Sequence, residues 1–308
     1  MKGIARLAIV LIGLILSSAL QQAVVAQQPK AEPPDPVAKR SDLYCTGFIA
    51  ESAPREDLQV IGAEAENIKA TFAQGDVVFL NQGRRTGVQP GAVYYVIRPI
   101  GEVKHPFTKK RLGYFVRELG LLRVIEVQDQ TSTAEITVSC DVVELGDLVK
   151  PYQEYLGPGV RDAQPLPRYS EGSGGTRGQI VMSPGYHENL SANRLVFLDL
   201  GNDDSVHAGD YFTIYREIGA HEGVTNPPED KVVNRRSDGY ESDRYRGGDI
   251  SVQATRAPRK DVLATRPAVP RKVLGELIVI KVEKNSSVAM ITRTTSEVNI
   301  GDWVERTN

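Results

Sequence analysis

The sequence predicts an all-β protein of two tandem, homologous small β-barrel domains of about six strands each, after an N-terminal signal peptide. Three observations predict this. One segment of the chain is written twice, apolar and β-branched residues cluster in short runs broken by Gly, Asn and Asp, and a basic start precedes a short apolar stretch. Short antiparallel strands close naturally into a barrel because closure removes exposed sheet edges.

The N-terminus has the layout of an export signal. Lys2 and Arg6 are the charges that precede residue 30, an apolar run covers residues 7–16, and small residues end at Ala26. The apolar run is shorter than the about 20 residues that a spanning helix needs. Residues 1–26 are therefore predicted to be a signal peptide cleaved on export, with a periplasmic location for the mature chain. An uncleaved anchor is the alternative, and no membrane span is expected after cleavage.

The repeat falls into two halves with different shifts. Residues 77–101 align with residues 195–219 at a shift of 118, and residues 119–149 align with residues 274–304 at a shift of 155. Fourteen of the 31 positions in the second pair are identical, and the identities include glycines. The difference of 155 − 118 = 37 residues predicts an insertion between the halves of the second copy.

These shifts set the predicted domain limits. The first barrel covers residues 42–152, a linker covers residues 153–177, and the second barrel covers residues 178–308. The insertion, residues 220–272, is rich in Arg, Asp, Pro and Gly and is predicted to be disordered. The proline-rich residues 27–41 are predicted to be a disordered spacer before the first barrel.

The two cysteines, Cys45 and Cys140, are predicted to form a disulfide, because an exported protein meets an oxidising compartment. Two unrelated buried thiols are the alternative. Closing a loop of this length stabilises a protein by about 4–5 kcal/mol in the chain-entropy model.

Glycine and aspartate recur where strands are predicted to begin. They could be metal ligands, but no His or second carboxylate recurs at ligand spacing, so no metal and no cofactor are expected. Gly supplies a positive φ and Asp bonds its own backbone, which favours structural turns. The predicted turn residues are Gly83, Gly91, Gly146, Asp147, Gly201, Gly209, Asp210, Gly301 and Asp302.

The stretch "VFLDLGNDDSVHAGDYFTIYR", residues 196–216, resembles the C-terminal domain of flagellar assembly protein T, a small periplasmic β-barrel module. The shared pattern is Leu200-Gly201, Val206, Gly209-Asp210 and Tyr215-Arg216, and the first copy follows it more loosely, with Ala92 in place of Asp. The arrangement of a signal peptide, "YC.GFI" and two such modules also looks like bacterial cell-envelope proteins. The resemblance implies the barrel fold more than a function, since turn glycines carry most of it.

Two charged and aromatic segments are candidates for binding a partner. Residues 102–115 could hold an acidic glycan or a protein, or could be a hairpin that covers a barrel end. Residues 234–248 could fold against a partner or remain a solvated loop. The candidate residues are Lys104, Phe107, Lys110, Arg111, Tyr114, Arg235, Arg236, Tyr240, Arg244, Tyr245 and Arg246.

Charge and the search for reactive groups bound the function. The formal net charge is −2, and removal of Lys2 and Arg6 makes it −4, which argues against a nucleic-acid partner. The four histidines are not spaced as ligand pairs, and no nucleophile motif is present. The expected function is therefore a non-catalytic, exported cell-envelope protein that binds or assembles with a periplasmic protein complex. Peptidoglycan or glycan binding is the first alternative, and an enzyme of unknown class is the second.

Overall fold

The computed structural model describes residues 38–55, 57–155, 157–159, 161, 162, 164–185, 187, 189–218 and 264–307. All of them belong to one compact unit. The predicted signal peptide, residues 27–37 of the predicted spacer, Gly219 and residues 220–263 of the predicted insertion lie outside the described residues.

The all-β fold class is confirmed. Helix α1, Arg40–Tyr44, is a single short turn of helix that precedes the first strand. The strands are β1 Phe48–Ala50, β2 Val60–Ala63, β3 Val77–Leu80, β4 Val93–Lys104, β5 Arg111–Val127, β6 Ser132–Ser139, β7 Leu148–Pro151, β8 Tyr169–Ser170, β9 Arg177–Met182, β10 Asn189–Leu190, β11 Leu195–Leu198, β12 Tyr211–Arg216, β13 Arg271–Val282, β14 Ser287–Thr294, β15 Val298–Asn299 and β16 Trp303–Arg306. In the part of the chain that the structure describes, no helix has both the length and the apolar character required to cross a bilayer.

The first barrel is built in the order β2-β3-β6-β5-β4-β7, with β1 added to the first half of β5. Backbone hydrogen bonds join its two outer strands: Val60 donates to Asp147 at 3.0 Å and Val149 donates to Leu58 at 2.9 Å. The second barrel has the order β12-β16-β9-β11-β14-β13, and pairing of β12 with β13 closes it. Strand β8 is added to the first half of β13, as β1 is to β5.

The ladders of the two barrels superimpose residue by residue. Val93 pairs with Arg123 in the first barrel, and Tyr211 pairs with Ile278 in the second, which follows from the shifts of 118 and 155. The first strand of each barrel aligns at a different shift. Gln59 bridges to Leu148, and Gln179 pairs with Trp303, which is the equivalent of Leu148. Residues of β2 and β9 are therefore related by a shift of 120. Strand β8 lies where β1 lies, at a shift of 122, since Phe48 and Ser170 pair with equivalent residues. We call residues at the same place in the two ladders equivalent.

The turn residues act in two ways. Gly146 and Gly301 have φ of 91° and 95°, a left-handed conformation that favours glycine. Gly83 and Gly201 do not have a positive φ; a methyl group there would lie 2.4 Å and 2.3 Å from the carbonyl oxygens of Gln128 and Lys284. Glycine at the predicted turns thus meets either a torsional requirement, as in the Gly-Asp steps of Gly146 and Gly301, or a steric one, as at Gly83 and Gly201.

The aspartates at these turns also bind a repeated arginine. Arg98 forms a two-pronged ion pair with Asp147, with Nε–Oδ1 at 2.7 Å and Nη2–Oδ2 at 2.8 Å. The equivalent Arg216 binds Asp302 in the same way, at 2.7 Å for both contacts. Each aspartate also accepts the backbone N–H three residues before it, at 2.7 Å. One buried carboxylate therefore fixes both a turn and the neighbouring strand.

The disulfide between Cys45 and Cys140 is confirmed. It joins the end of α1 to the residue after β6, so the segment before β1 is attached to the first barrel. Ala38 and Leu43 are buried beside it, so the described chain is packed from before residue 42, where the first barrel was predicted to begin.

Candidate binding surfaces between and on the two barrels

Three apolar clusters are present in the described residues, one inside each barrel and one between the barrels. From the first barrel, the cluster between them receives what we call the leading face: Phe48, Ile49, Tyr95, Ile97, Phe115, Val116 and Leu121. From the second barrel it receives what we call the receiving face: Val181, Phe197, Ile278, Ile280, Val288 and Met290. The rings of Phe115 and Phe197 meet edge to face at 5.7 Å. Burial of this many large apolar side chains packs the two barrels firmly together.

A fully buried ion pair lies within this contact. Lys281 of the second barrel reaches Glu118 of the first, with Nζ–Oε1 at 2.5 Å, and both side chains are almost inaccessible to water. The backbone N–H of Gly47 donates to the other oxygen of Glu118 at 3.1 Å. Such a pair adds little net stability compared with apolar residues, but loss of one partner is costly, so it selects one register of the two barrels.

Burial at this contact also affects neighbouring titratable groups. Burial raises the pKa of Tyr155 to about 12, with smaller contributions from the charges of Glu283 and Glu118. Burial likewise raises the pKa of Glu283. The ammonium group of Lys281 lies 4.9 Å from the centre of the Tyr155 ring, so this tyrosine covers the ion pair.

The hairpin between β4 and β5 brings one predicted partner-binding residue, Phe107, onto the second barrel of the same chain, together with His105. The Phe107 ring lies so close to Gly301 that a methyl group there would be 2.1 Å from it. His105 Nε2 lies 3.4 Å from Asp199 Oδ2, in a place where burial raises the pKa of Asp199 and the histidine opposes that effect. Phe107 and His105 therefore help to hold the barrels together, which matches the hairpin-cover alternative for this segment.

The other predicted residues of this hairpin stay at its surface. Lys104, Lys110 and Arg111 are exposed and Tyr114 is half-buried. Arg111 donates to the Glu51 carbonyl at 2.9 Å, and its guanidinium lies 5.1 Å from the centre of the Tyr114 ring. The six predicted residues of the insertion, Arg235, Arg236, Tyr240, Arg244, Tyr245 and Arg246, lie outside the described residues.

The second barrel has a cavity where the first barrel has its leading face. The cavity measures about 880 Å³ and is lined by Ser170, Glu171, Arg177, Ile218, Arg266 and Arg271, among others. Ser170, Glu171 and Arg271 are equivalent to Phe48, Ile49 and Val116. Polar and charged residues thus replace apolar ones at the surface that, in the first barrel, contacts a neighbouring barrel.

An ion network forms the wall of this cavity. The Glu305 carboxylate accepts from Arg271, from Arg177 at 3.0 Å, and from the N–H groups of Ser173 and Gly174 at 3.1 Å and 3.2 Å. Burial works to raise the pKa of Glu305, but the hydrogen bonds from Arg271, Ser173 and Arg177 lower it to about 2. The Arg271 guanidinium also stacks 3.7 Å above the centre of the Tyr215 ring. These fixed charges make the cavity wall rigid.

A smaller cavity distinguishes the first barrel. It measures about 330 Å³ and is lined by Gly87, Tyr94, Val149 and Pro151, among others. In the second barrel, Arg306 is equivalent to Pro151, and its guanidinium donates to Asp210 at 2.6 Å and to the Ser205 carbonyl at 2.9 Å. Asp210 is equivalent to Ala92, so the first barrel lacks both members of this pair.

Within the described ranges, no three His, Cys, Asp or Glu side chains lie together as a set of metal ligands. A comparison with models of protein families gives no match, and a search of curated proteins gives none. The buried carboxylates of Glu118, Asp147, Asp302 and Glu305 are each bound by a cation of the same chain.

Proposed function

We propose that this chain is a non-catalytic, exported binding protein of the cell envelope, and that the cavity of the second barrel receives a segment of a partner protein. One observation carries the proposal. The surface that the first barrel uses to contact its neighbour is, in the second barrel, an open cavity with a charged wall and apolar edges.

The lining of the cavity supports a protein segment as its occupant. Ile218, Pro267 and Val269 offer apolar contact, while Arg177 and Arg266 offer guanidinium groups beside them. Arg side chains next to apolar groups are favoured at protein interfaces. The cavity also lies beside the end of β12 and the start of β13, the two strands that flank the insertion in the sequence.

Two further observations support an exported structural role. The disulfide is typical of proteins that fold in oxidising compartments. The buried carboxylates are held by internal cations in fixed geometry, which suits a rigid scaffold. The resemblance to flagellar assembly protein T adds a role in assembly as a prediction.

Site-specific photocrosslinking in intact cells of the native host tests the proposal. A photoreactive residue at Ile218 or Arg266 should yield one crosslinked envelope protein. The matched control is Ile100, which is equivalent to Ile218 and is equally exposed, at 42% against 43%. Equal products from Ile100 and Ile218, or no protein product from Ile218, would contradict the proposal. Muropeptides alone would favour the peptidoglycan alternative, and flagellar-base proteins would extend the resemblance to function.

A further inference from the structure

The first barrel carries an exposed apolar patch on one outer face. Ile61, Phe79 and Ile125 are 46%, 37% and 45% exposed, although they are large and apolar. They lie on adjacent strands: Phe79 pairs with Gly62 next to Ile61, and with Thr133 on its other side. Ile125 sits in the bulge opposite Thr133. We call Ile61, Phe79 and Ile125 the exposed patch.

The exposed patch occupies the same place as an interface that the chain already forms. Its three residues are equivalent to Val181, Phe197 and Ile280, three members of the receiving face. In the second barrel these side chains are between 0% and 6% exposed, because the leading face covers them. The first barrel thus presents the centre of a barrel-to-barrel contact surface that nothing covers among the described residues.

The charge at the centre of this surface is reversed between the two barrels. In the second barrel, Lys281 follows Ile280 and binds the buried Glu118 of the leading face. In the first barrel, the equivalent residue beside Ile125 is Glu126, which is exposed. Among the residues that the structure describes, no cation binds Glu126. A protein that covers the patch would remove water from this carboxylate, which is costly unless the protein supplies a cation.

A second carboxylate lies next to the patch. A methyl group on Gly62 would be 3.1 Å from a carboxylate oxygen of Glu66 and 3.3 Å from the Phe79 ring, so the carboxylate and the ring are neighbours. Arg123 and Glu135 lie on the same face at 3.7 Å from each other, so their charges offset one another. The surroundings of the apolar centre therefore carry an excess of negative charge.

The rim of the contact is more balanced than its centre. In the second barrel, Lys284 binds Glu51 of the first at 2.8 Å. Its equivalent is Asp129, which Arg84 and Arg85 share at 3.3 Å each. These side chains are mostly exposed, and exposed ion pairs contribute little. The carboxylates beside the apolar centre thus decide which charge a partner needs.

These charges also exclude a second copy of the chain as the partner. A leading face would place Glu118 against Glu126, and patch against patch would bring two negative surfaces together. The equivalent surface of the second barrel has Val273 in place of Glu118, and its Arg271 is already bound to Glu305. No surface of this kind in the described residues therefore offers Glu126 a free cation.

We propose that the exposed patch binds a different protein, whose contact surface has an apolar centre and a Lys or Arg in the place that Glu118 has in the leading face. The cation of the partner reaches Glu126, so the ion pair that joins the two barrels recurs with its polarity reversed. The reversal makes the patch specific, because it attracts this partner and repels the leading face. The proposal concerns a surface other than the cavity and does not rest on the function proposed above.

Photocrosslinking in intact cells of the native host, from a photoreactive residue at Ile61 or Phe79, tests the proposal. We expect one product with another protein, and mass spectrometry should place the adduct in a segment with apolar residues beside a Lys or Arg. Glu126→Lys should lower the yield at least about tenfold, because it turns an attraction at a desolvated contact into a repulsion. Changing that cation of the partner to Glu should lower the yield with the wild type and restore it with Glu126→Lys.

The matched control is Glu154→Lys, which makes the same change of charge at an exposed position outside the patch and should leave the yield unchanged. Far-UV circular dichroism shows whether each variant is folded. The proposal is overturned by the lack of a protein product from both positions, by a product with a second copy of the chain, or by an adduct segment without a cation. Equal yields from Glu126→Lys and Glu154→Lys would overturn it as well. Crosslinking from Ile218 reports the cavity, so either proposal can fail alone.

Discussion

The two barrels share the same strand pairings. Leu122 pairs with Ile136 in the first barrel, the equivalent Leu277 pairs with Ile291 in the second, and the β-bulges of the two sheets lie at equivalent positions. The side chains on the outside of these ladders differ. Phe197 and Ile280 of the second barrel are buried against the first barrel, whereas the equivalent Phe79 and Ile125 are exposed. In the opposite direction, Val116 of the first barrel is buried against the second barrel, whereas the equivalent Arg271 binds Glu305. Duplication has therefore kept the backbone and the interior while the two contact surfaces of each barrel diverged.

The largest expected effect comes from the ion pair that joins the barrels. Lys281→Met should lower the free energy of unfolding by about 3–5 kcal/mol, because it leaves Glu118 charged and buried without a cation. Urea denaturation followed by circular dichroism measures this. The double variant Lys281→Met/Glu118→Leu should recover most of the loss, since an apolar pair replaces a buried ionic one.

The matched control for this prediction is Lys284→Met. Lys284 also pairs across the barrels, with Glu51 at 2.8 Å, but both side chains are exposed. A loss for Lys281→Met as small as the loss for Lys284→Met would show that the contact admits water and that the barrels are not packed as described.

The repeat made most of the fold predictable from the sequence. Period-two alternation and turn residues act locally, so the shifts of 118 and 155 place β3 to β7 on β11 to β16. The Arg–Asp pairs could also have been predicted, because Arg98 and Asp147 recur as Arg216 and Asp302 under those two shifts.

The contact between the barrels was not predictable in the same way. Phe107 looks like a surface aromatic in the sequence, and only the long-range packing of the hairpin brings it to Gly301. The repeat does show that Phe79 and Phe197 occupy equivalent positions, since they align at the shift of 118. Which of them is covered depends on what each barrel meets in three dimensions, and local patterns carry no information on that.

The second prediction uses the pH dependence of the free energy of unfolding to distinguish the second barrel from the first. The pKa of Glu305 is about 2 in the folded chain, below its ordinary value of 4.5, so its contribution is complete above that value and is lost as the pH falls from about 4.5 to 2. Glu305→Gln should therefore cost on the order of 2–3 kcal/mol at neutral pH, and its difference from the wild type should shrink as the pH approaches 2. Urea denaturation at a series of pH values measures both.

One control accompanies this prediction, which concerns a carboxylate that only the second barrel has. Lys150 occupies the position equivalent to Glu305 in the first barrel, so the first barrel lacks this carboxylate. Glu154→Gln, which changes an exposed carboxylate, should leave the curve of stability against pH close to that of the wild type. A constant difference between Glu305→Gln and the wild type across the acid range would mean that the Arg271 and Arg177 hydrogen bonds do not depress this pKa.

The smallest expected effect comes from copying a pair of the second barrel into the first. The double variant Ala92→Asp/Pro151→Arg introduces the equivalents of Asp210 and Arg306 and fills part of the cavity of about 330 Å³. It also gives position 151 a backbone N–H, which proline lacks; the equivalent N–H of Arg306 donates to the Thr176 carbonyl at 2.9 Å. The pair in the second barrel is about one quarter exposed, so the gain in the free energy of unfolding should not exceed about 1 kcal/mol. Each single variant serves as a control in a double-mutant cycle, in which we expect a favourable coupling of about 0.5 kcal/mol. A coupling of zero would mean that the equivalence of the backbones does not extend to the side chains they can hold, and that the first barrel lost this pair together with the local geometry that it needs.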